Sequence, residues 1–299
     1  MSHKLVPLAA TTAVALFALT ACGTGGSSDA SASDKGTTDT SAPLYKDVPE
    51  KFRDGITIAI QQNAPPLSFK AEDGSTQGQE PELLKALSKQ LGVPIKITPT
   101  SFENELLGLD GKKFDFVGQT AITAEREQKY NQVSNFVDGY SFVALDDSAD
   151  LGTDEMDLCG HTLATQSGDQ SSVFLQDLSK KCASAGKKEI KLVQLPSLSD
   201  EYVTVASGRA EAAIEPLSVM AYFLSQKDQQ LGKSWKKTGP TVLPVLVGYS
   251  FLKDSPLPEL IQKGVQALID DGTYAEIMKK HGLEANIATE AHLNPAPLS

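Results

Sequence analysis

The chain has 299 residues, of which 40% are hydrophobic and 22% are charged, proportions that are ordinary for a globular protein. This length suffices for one large domain or two modest ones. The formal net charge of −11 argues against a nucleic-acid partner, because phosphate neutralisation needs clustered Lys and Arg.

Residues 1–21 have the pattern of an export signal, with a short polar start at 1–4 and an apolar stretch at 5–19. The apolar stretch is shorter than the roughly 20 residues that a membrane-spanning helix needs. The exit sequence Leu19-Thr20-Ala21-Cys22 resembles the lipobox of bacterial lipoprotein signal peptides, which implies cleavage before Cys22 and lipidation of its thiol. The alternative is an ordinary signal peptide with a chance Cys.

A tether is predicted to follow the lipid anchor. From Gly23 to about Asp47 the chain consists mostly of Gly, Ser, Thr, Ala and Asp, with almost no large apolar residue before Leu44. Such a segment buries too little surface to offset the entropy of ordering it. We therefore predict that residues 22–49 are the lipidated Cys and a flexible linker to the folded part.

The folded part alternates between strand and helix patterns. The β-branched run at 56–60 predicts a buried strand, and leucines at helical spacing predict a helix from Glu80 to Leu91, ended by Gly92. Further strands are predicted at 95–98, 114–117, 162–166, 190–194, 211–214 and 247–252, and further helices at 103–109, 169–182, 198–208, 216–226, 256–270 and 272–281. This alternation predicts an α/β fold with mostly parallel sheets, and ligands of such sheets bind beyond the carboxyl ends of the strands.

Two cysteines, Cys159 and Cys182, remain for the folded part. An exported protein occupies an oxidising space, so they can form a disulfide, which would contribute roughly 3 kcal/mol. Two buried free thiols are the alternative, and a metal site is disfavoured because no His lies at ligand spacing. The sequence also lacks a glycine-rich dinucleotide or phosphate-loop signature, so no metal or cofactor is expected.

Six segments in a fixed order carry a family resemblance. They are Ile56-Thr57-Ile58-Ala59-Ile60 with Asn63 through Phe69, Gly78 through Leu91, Phe114-Asp115-Phe116 with Thr120 through Arg126, Ser207 through Ala213, Gly248-Tyr249-Ser250-Phe251, and Asp271-Gly272-Thr273-Tyr274. Over about residues 52–285, this order resembles the periplasmic solute-binding proteins of polar amino-acid ABC importers.

The resemblance implies a two-lobed periplasmic-binding-protein-like fold with two hinge crossovers. Lobe 1 would comprise residues 50–141 and 248–285, lobe 2 would comprise 142–247, and 286–299 would form a C-terminal tail. The ligand would bind in the cleft, and the lobes would close around it by a hinge motion.

The resemblance also implies a binding site centred on Arg126, whose guanidinium would hold the α-carboxylate of the ligand through two parallel hydrogen bonds. The Thr120 hydroxyl and the Ala121 N–H would complete the carboxylate site, and Phe102 would pack on the aliphatic part of the ligand or else belong to the core. Asp169 either faces the ligand or only caps the following helix. The full predicted ligand-binding set is Gln61, Phe102, Thr120, Ala121, Arg126, Asp169, Gln170 and Glu215.

The departure from the family pattern lies at Glu215-Pro216. The family usually has an Asp that pairs with the α-ammonium of the ligand, and Pro216 stands at that position. Either Glu215 substitutes after a local shift, or no carboxylate binds an ammonium there. Glu215 is alternatively an acid at a helix start, favoured by the helix dipole.

The predicted function is that of a non-enzymatic solute-binding lipoprotein, anchored outside the cytoplasm through Cys22. It would deliver an amino acid or related small carboxylate to ABC permease and ATPase subunits. One alternative is an exported enzyme resembling cyclohexadienyl dehydratases, with Glu215, Asp169 or Glu80 as the acid. Another is a sensory lipoprotein, which a neighbouring permease and ATPase gene would argue against.

Overall fold

The computed structural model describes residues 38–226 and 230–298. Within those ranges no helix is long and apolar enough to cross a membrane. The predicted signal at 1–21 and the predicted lipidation site Cys22 lie outside the described residues, so both stay predictions.

Eight of the ten strands in the described ranges form one mixed sheet. In chain order the strands are β1 (Ile56–Gln61), β2 (Phe69–Lys70), β3 (Thr76–Gln77), β4 (Ile95–Thr100), β5 (Phe116–Ala121), β6 (Tyr130–Leu145), β7 (Thr162–Gln166), β8 (Lys191–Leu195), β9 (Ala212–Pro216) and β10 (Trp235–Leu252). The sheet order is β4-β1-β5-β10-β6-β9-β7-β8, and β2 and β3 pair separately. We call β4-β1-β5 the first half of the sheet and β9-β7-β8 the second half.

The strands within each half are parallel, and the long strands β6 and β10 join the halves by antiparallel pairing. The helices are α1 (Gln79–Leu91), α2 (Phe102–Asp110), α3 (Ala124–Lys129), α4 (Gln170–Ser184), α5 (Leu198–Ala206), α6 (Leu217–Ser225), α7 (Pro258–Asp270) and α8 (Thr273–Lys280). Because each parallel crossover requires a connection over a sheet face, this alternation of strand and helix produces an α/β architecture.

Helix α1 shows how the sequence determines one of these elements. Its apolar residues Leu83, Leu84, Leu87 and Leu91 recur at helical spacing, and all four are fully buried in the core. Gly92 then adopts the left-handed conformation with φ of 68° and donates its N–H to the carbonyl of Ser88. A residue with a Cβ is strained in this conformation, so the predicted end of the helix at Gly92 is confirmed.

The long strands are the main addition to the predicted elements. Hydrophobic patterning predicted only the last six residues of β10, at 247–252, and none of β6. Strand β6 is buried along most of both faces and therefore lacks the alternation of a half-exposed strand. Strand β10 contains Gly239 and Pro240, near which its register against β6 shifts between Thr238 and Val242. Gly and Pro within a sequence argue against a strand, although β-bulges accommodate both, so hydrophobic patterning did not predict this part of β10.

The packed part of the chain is longer than predicted at both ends. Residues 38–49 were assigned to the flexible tether, yet Val48 is buried and the backbone N–H of Leu44 donates to the carbonyl of Gln90. At the other end, the N–H of Ser134 donates to the carbonyl of His292, so the predicted tail 286–299 packs along β6. Scattered apolar residues such as Val48 suffice to dock short segments on an existing core.

A disulfide joins Cys159 to Cys182, with an S–S distance of 2.01 Å. Of the two alternatives that the sequence left open, the structure has the paired form. Cys182 is fully buried on α4, and Cys159 directly follows the short 3₁₀ turn Glu155–Leu158. The bond therefore fixes the loop that precedes β7 to the helix that follows it.

Candidate functional site

A small cavity lies at the carboxyl ends of parallel strands from both halves of the sheet. Gln61, Ala121, Gln166 and Pro216 are the last residues of β1, β5, β7 and β9, and each lines this space. We call it the inner cavity, and its volume is about 40 Å³. Its remaining lining residues are Ala64, Leu67, Phe102, Gln119, Phe136, Asp138, Tyr140, Asp169, Ser171, Leu198, Ile214, Val219, Val245 and Val247. The position agrees with the expectation that ligands of such sheets bind beyond the strand ends.

A wider groove adjoins the inner cavity, and we call it the outer cleft. It has a volume of about 520 Å³ and includes Arg126 and Gln170 in its lining. Asp169 lines both spaces, so the two are neighbours. Six of the eight predicted residues line one or both of these spaces, whereas Thr120 and Glu215 line neither.

Arg126 bridges the two halves of the molecule. Its Nη1 donates to the carbonyl of Ala121 at 3.0 Å, and its Nη2 donates to the carbonyl of Gly168 at 3.1 Å. Ala121 ends a strand of the first half, whereas Gly168 follows β7 in the second half. A guanidinium has five N–H donors, so these two bonds do not exhaust its capacity to hold an anion.

Two further contacts fix the position of Arg126. The Thr123 hydroxyl caps α3 by accepting the backbone N–H of Arg126 at 3.1 Å. The guanidinium carbon lies 5.4 Å from the ring centroid of Phe102, within the range of a cation–π interaction. Phe102 is buried and also lines the inner cavity, so one aromatic ring contacts both the guanidinium and the space beside it.

The inner cavity has polar walls with unused donors. The side-chain amide nitrogens of Gln61 and Gln166 are buried and have no hydrogen-bond partner among the described residues. Leaving a buried donor unpaired costs about 1–3 kcal/mol, so native proteins rarely do so without a functional reason. Both nitrogens are therefore suited to a ligand that brings oxygen acceptors.

The side chain of Thr120 and those of its two neighbours on β5 lie on opposite faces of the sheet. Gln119 and Ala121 line the inner cavity, whereas the Thr120 hydroxyl lies 2.7 Å from the Ser250 hydroxyl and donates to the carbonyl of Gly248 at 3.1 Å. Alternation along a strand produces this division, because adjacent side chains point to opposite faces. The predicted role of the Thr120 hydroxyl stays a prediction, and fulfilling it would require exchanging its partners on β10.

Asp169 has the helix-capping role that the sequence offered as one alternative, and its ligand-facing role stays a prediction. Its carboxylate caps α4 by accepting the backbone N–H of Ser171 at 2.9 Å, and the hydroxyl of Tyr140 donates to its other oxygen at 3.0 Å. The same residue lines the inner cavity and the outer cleft. Gln170, the first residue of α4, contributes to the outer cleft only.

Glu215 is fully buried on β9 and is not among the residues that line the inner cavity, although Ile214 and Pro216 on either side are. Neither of its carboxylate oxygens has a hydrogen-bond partner among the described residues. Burial and the nearby charge of Asp169 raise its pKa well above the usual range. Glu201 on α5 is equally buried, and its pKa is raised by burial and by the charge of Glu215. The predicted ammonium-binding role of Glu215 stays a prediction.

Five residues with polar side-chain groups line the inner cavity but were absent from the predicted set: Gln119, Asp138, Tyr140, Gln166 and Ser171. Gln166 ends the predicted strand 162–166, so the rule that ligands bind at strand ends could have found its side chain. Asp138 lies within β6, which hydrophobic patterning did not predict. Burial raises the pKa of Asp138 to about 6, in spite of hydrogen bonds from Ser218 and the backbone that favour the charged form.

Comparison with known proteins gives a family match over most of the folded chain. The model of the family "Bacterial extracellular solute-binding proteins, family 3" matches residues 56–284. The chain is 26% identical over 258 residues to the arginine-binding protein ArgT of Corynebacterium glutamicum, covering 84% of this chain and 83% of the relative. It is 22% identical over 271 residues to the L-cystine-binding protein TcyA of Bacillus subtilis, covering 89% and 93%.

Solved structures show the same architecture. An ancestral arginine-binding protein bound to glutamine superimposes with a TM-score of 0.67 and 27% identity, covering 77% of this chain and 98% of that chain. The chain therefore has the α/β fold of the periplasmic binding proteins, with two lobes. The exact lobe boundaries at 141–142 and 247–248 stay predictions.

Proposed function

Because this chain belongs to the bacterial extracellular solute-binding proteins of family 3, we propose that it is the solute-binding lipoprotein of an amino-acid ABC importer. In this proposal the inner cavity and the outer cleft together hold one amino acid or a related small carboxylate. The protein then presents the closed, loaded form to the membrane permease and its ATPase. Lipidation of Cys22 would keep it at the outer face of the cell membrane.

The observation that carries the proposal is the polar inner cavity at the strand ends of both halves. A site between two halves can couple binding to closure, since a ligand that contacts both favours the state in which they are close. The unpaired amide nitrogens of Gln61 and Gln166 come from β1 and β7, one on each half. A ligand with oxygen acceptors would bring these two donors together.

Arg126 is proposed to bind the carboxylate of the ligand from the outer cleft. Its bond to Ala121 keeps the guanidinium at the end of β5, and its contact with Phe102 holds the plane in place. The bond to Gly168 already links the two halves, so a carboxylate held by the same guanidinium would lie at their junction. Charge-assisted, bidentate bonds of this kind are among the strongest that a binding site offers.

The relatives favour an amino acid as the solute. The names of ArgT and TcyA state that they bind arginine and cystine, and the ancestral relative was solved with glutamine. All three solutes share an α-carboxylate and an α-ammonium group. We propose the same class here and leave the side chain to experiment.

The test is a thermal-shift screen of the full chain, purified in mild detergent, against the standard amino acids, cystine, their deaminated analogues and prephenate. A ligand at about 100 times its Kd stabilises the native state by about 2.7 kcal/mol, which raises the melting temperature measurably. A shift with at least one amino acid is expected. No shift with any amino acid, together with turnover of prephenate, would contradict the proposal and favour the enzymatic alternative.

A further inference from the structure

Asp138 lines the inner cavity and belongs to the long strand β6. Its carboxylate accepts the backbone N–H of Gly139 at 2.9 Å, and it is anchored to α6 by the hydroxyl of Ser218 at 2.5 Å and the backbone N–H of Ser218 at 3.3 Å. The residue is 8% exposed, and it lines the cavity. These bonds fix the carboxylate in one orientation at the cavity wall.

The charges around Asp138 are unbalanced. The residues that line the inner cavity include two acids, Asp138 and Asp169, and no Lys or Arg. Asp169 is hydrogen-bonded to Tyr140 and Ser171, and among the described residues Asp138 accepts hydrogen bonds from the neutral donors Gly139 and Ser218. A carboxylate in such a place is stabilised best by a cation, because burial removes most of its hydration.

The neighbouring strand β9 contributes no carboxylate to the lining of the inner cavity. Pro216 on β9 pairs with Tyr140 on β6 and lines the cavity, but its side chain is apolar. Glu215 does not line the cavity, as described above. Asp138 is therefore the carboxylate that this region of the wall presents to a ligand.

We propose that Asp138 accepts a cationic nitrogen of the bound solute, either an ammonium or a guanidinium. The inference rests on the proposed function, because it assumes that an amino acid occupies the cavity. It adds a residue that determines specificity: Arg126 holds the anionic end of the solute from the outer cleft, and Asp138 holds a cationic end inside. Ser218 acts as a positioning residue that orients the carboxylate.

The experiment measures binding by calorimetry with the full chain and its Asp138→Asn variant. The probes are L-arginine, L-citrulline and argininic acid, since citrulline lacks the guanidinium charge and argininic acid has a hydroxyl in place of the α-ammonium. If the screen selects a neutral amino acid instead, that amino acid and its α-hydroxy analogue are used in the same way. The amide retains acceptors for Gly139 and can donate to Ser218, so the variant should fold with an unchanged melting profile in acid.

We expect Asp138→Asn to lose about tenfold or more in affinity for the cationic probe. The loss should vanish for the analogue that lacks the nitrogen bound by Asp138. If citrulline binds the variant and the wild type equally well, Asp138 pairs with the guanidinium. If argininic acid does so, Asp138 pairs with the α-ammonium. Ser218→Ala should show a smaller loss with the same ligand pattern. Asp177→Asn, which removes one exposed charge on α4, is the control and should bind as the wild type does.

An Asp138→Asn variant with unchanged affinity, or with an equal loss for every probe, overturns the assignment, since a merely structural role would not distinguish the ligands. A wild-type protein that binds no amino acid at all contradicts the proposed function instead, and the inference falls with it. The two failures are therefore distinguishable.

Discussion

Replacing Glu80 with Gln should make the fold more stable at neutral pH while leaving its stability in acid nearly unchanged. Glu80 is the second residue of α1 and is fully buried. Burial raises its pKa from 4.5 to about 7, although the Tyr249 hydroxyl partly opposes the rise. Its neighbour Glu105 is also buried, and burial and the charge of Glu80 raise the pKa of Glu105.

The sign follows from proton binding. Between about pH 4.5 and pH 7 the folded state holds a proton on Glu80 that the unfolded state has already lost, so the free energy of unfolding falls as the pH rises through this window. Above about pH 7 the destabilisation reaches its full size. The rise in the pKa of Glu80 from 4.5 to about 7 corresponds to a loss of about 3 kcal/mol in the free energy of unfolding. A glutamine stays neutral, so the Glu80→Gln variant avoids this loss.

The assay is urea unfolding at about pH 4 and about pH 8 for the wild type and Glu80→Gln. The variant should gain up to about 3 kcal/mol at the higher pH and little at the lower pH. Glu103→Gln, an exposed carboxylate on α2, is the control and should change stability by less than about 0.5 kcal/mol at either pH. A Glu80→Gln variant that is equally destabilised at both pH values would refute the reasoning, because it would show that the charge of Glu80 is compensated in the fold.

Two further predictions concern the site and the disulfide. Arg126→Ala should weaken binding of the amino acid found by the screen by about a hundredfold or more, because the solute carboxylate loses its charged partner. The circular dichroism spectrum should stay unchanged. Titration calorimetry measures the affinity, and an unchanged Kd would contradict the proposed role of Arg126. Replacing Cys159 and Cys182 together by Ser should lower the free energy of unfolding by about 3 kcal/mol, since the bond closes a loop of 23 residues. Denaturant unfolding measures it, and a double variant as stable as the wild type would refute the estimate.

Local patterns predicted amphipathic helices and short apolar strands that are bounded by turns. Helix α1 was predicted with its C-terminal glycine because its leucines recur on one face and Gly92 is suited to the left-handed cap. Strands β7 and β9 were predicted within one or two residues of their observed bounds, since each is a short apolar run between turns. Strand β6 could not be predicted in this way, because burial on both faces removes the alternation and buried polar residues such as Gln132 and Asn135 interrupt the apolar run.

The candidate site was predicted in part for a similar reason. Arg126 and Asp169 stand next to recognisable turns, and the structure places both in the outer cleft. Asp138 was not predicted because its strand has no local sequence signature. Its carboxylate is also held by Ser218, which is distant in sequence. Glu215 was predicted because it adjoins the position where the family usually has an ammonium-binding Asp, whereas the pleat of β9 decides which neighbours line the cavity.

The central claim is that an amino acid binds between the two halves of the sheet. A crystal structure of the full chain with the amino acid that gives the largest thermal shift tests it most directly. The account predicts electron density for one solute in the inner cavity and outer cleft, with its carboxylate on Arg126 and a cationic nitrogen within hydrogen-bond distance of Asp138. Density at another surface, with both spaces closed and unchanged, would contradict it.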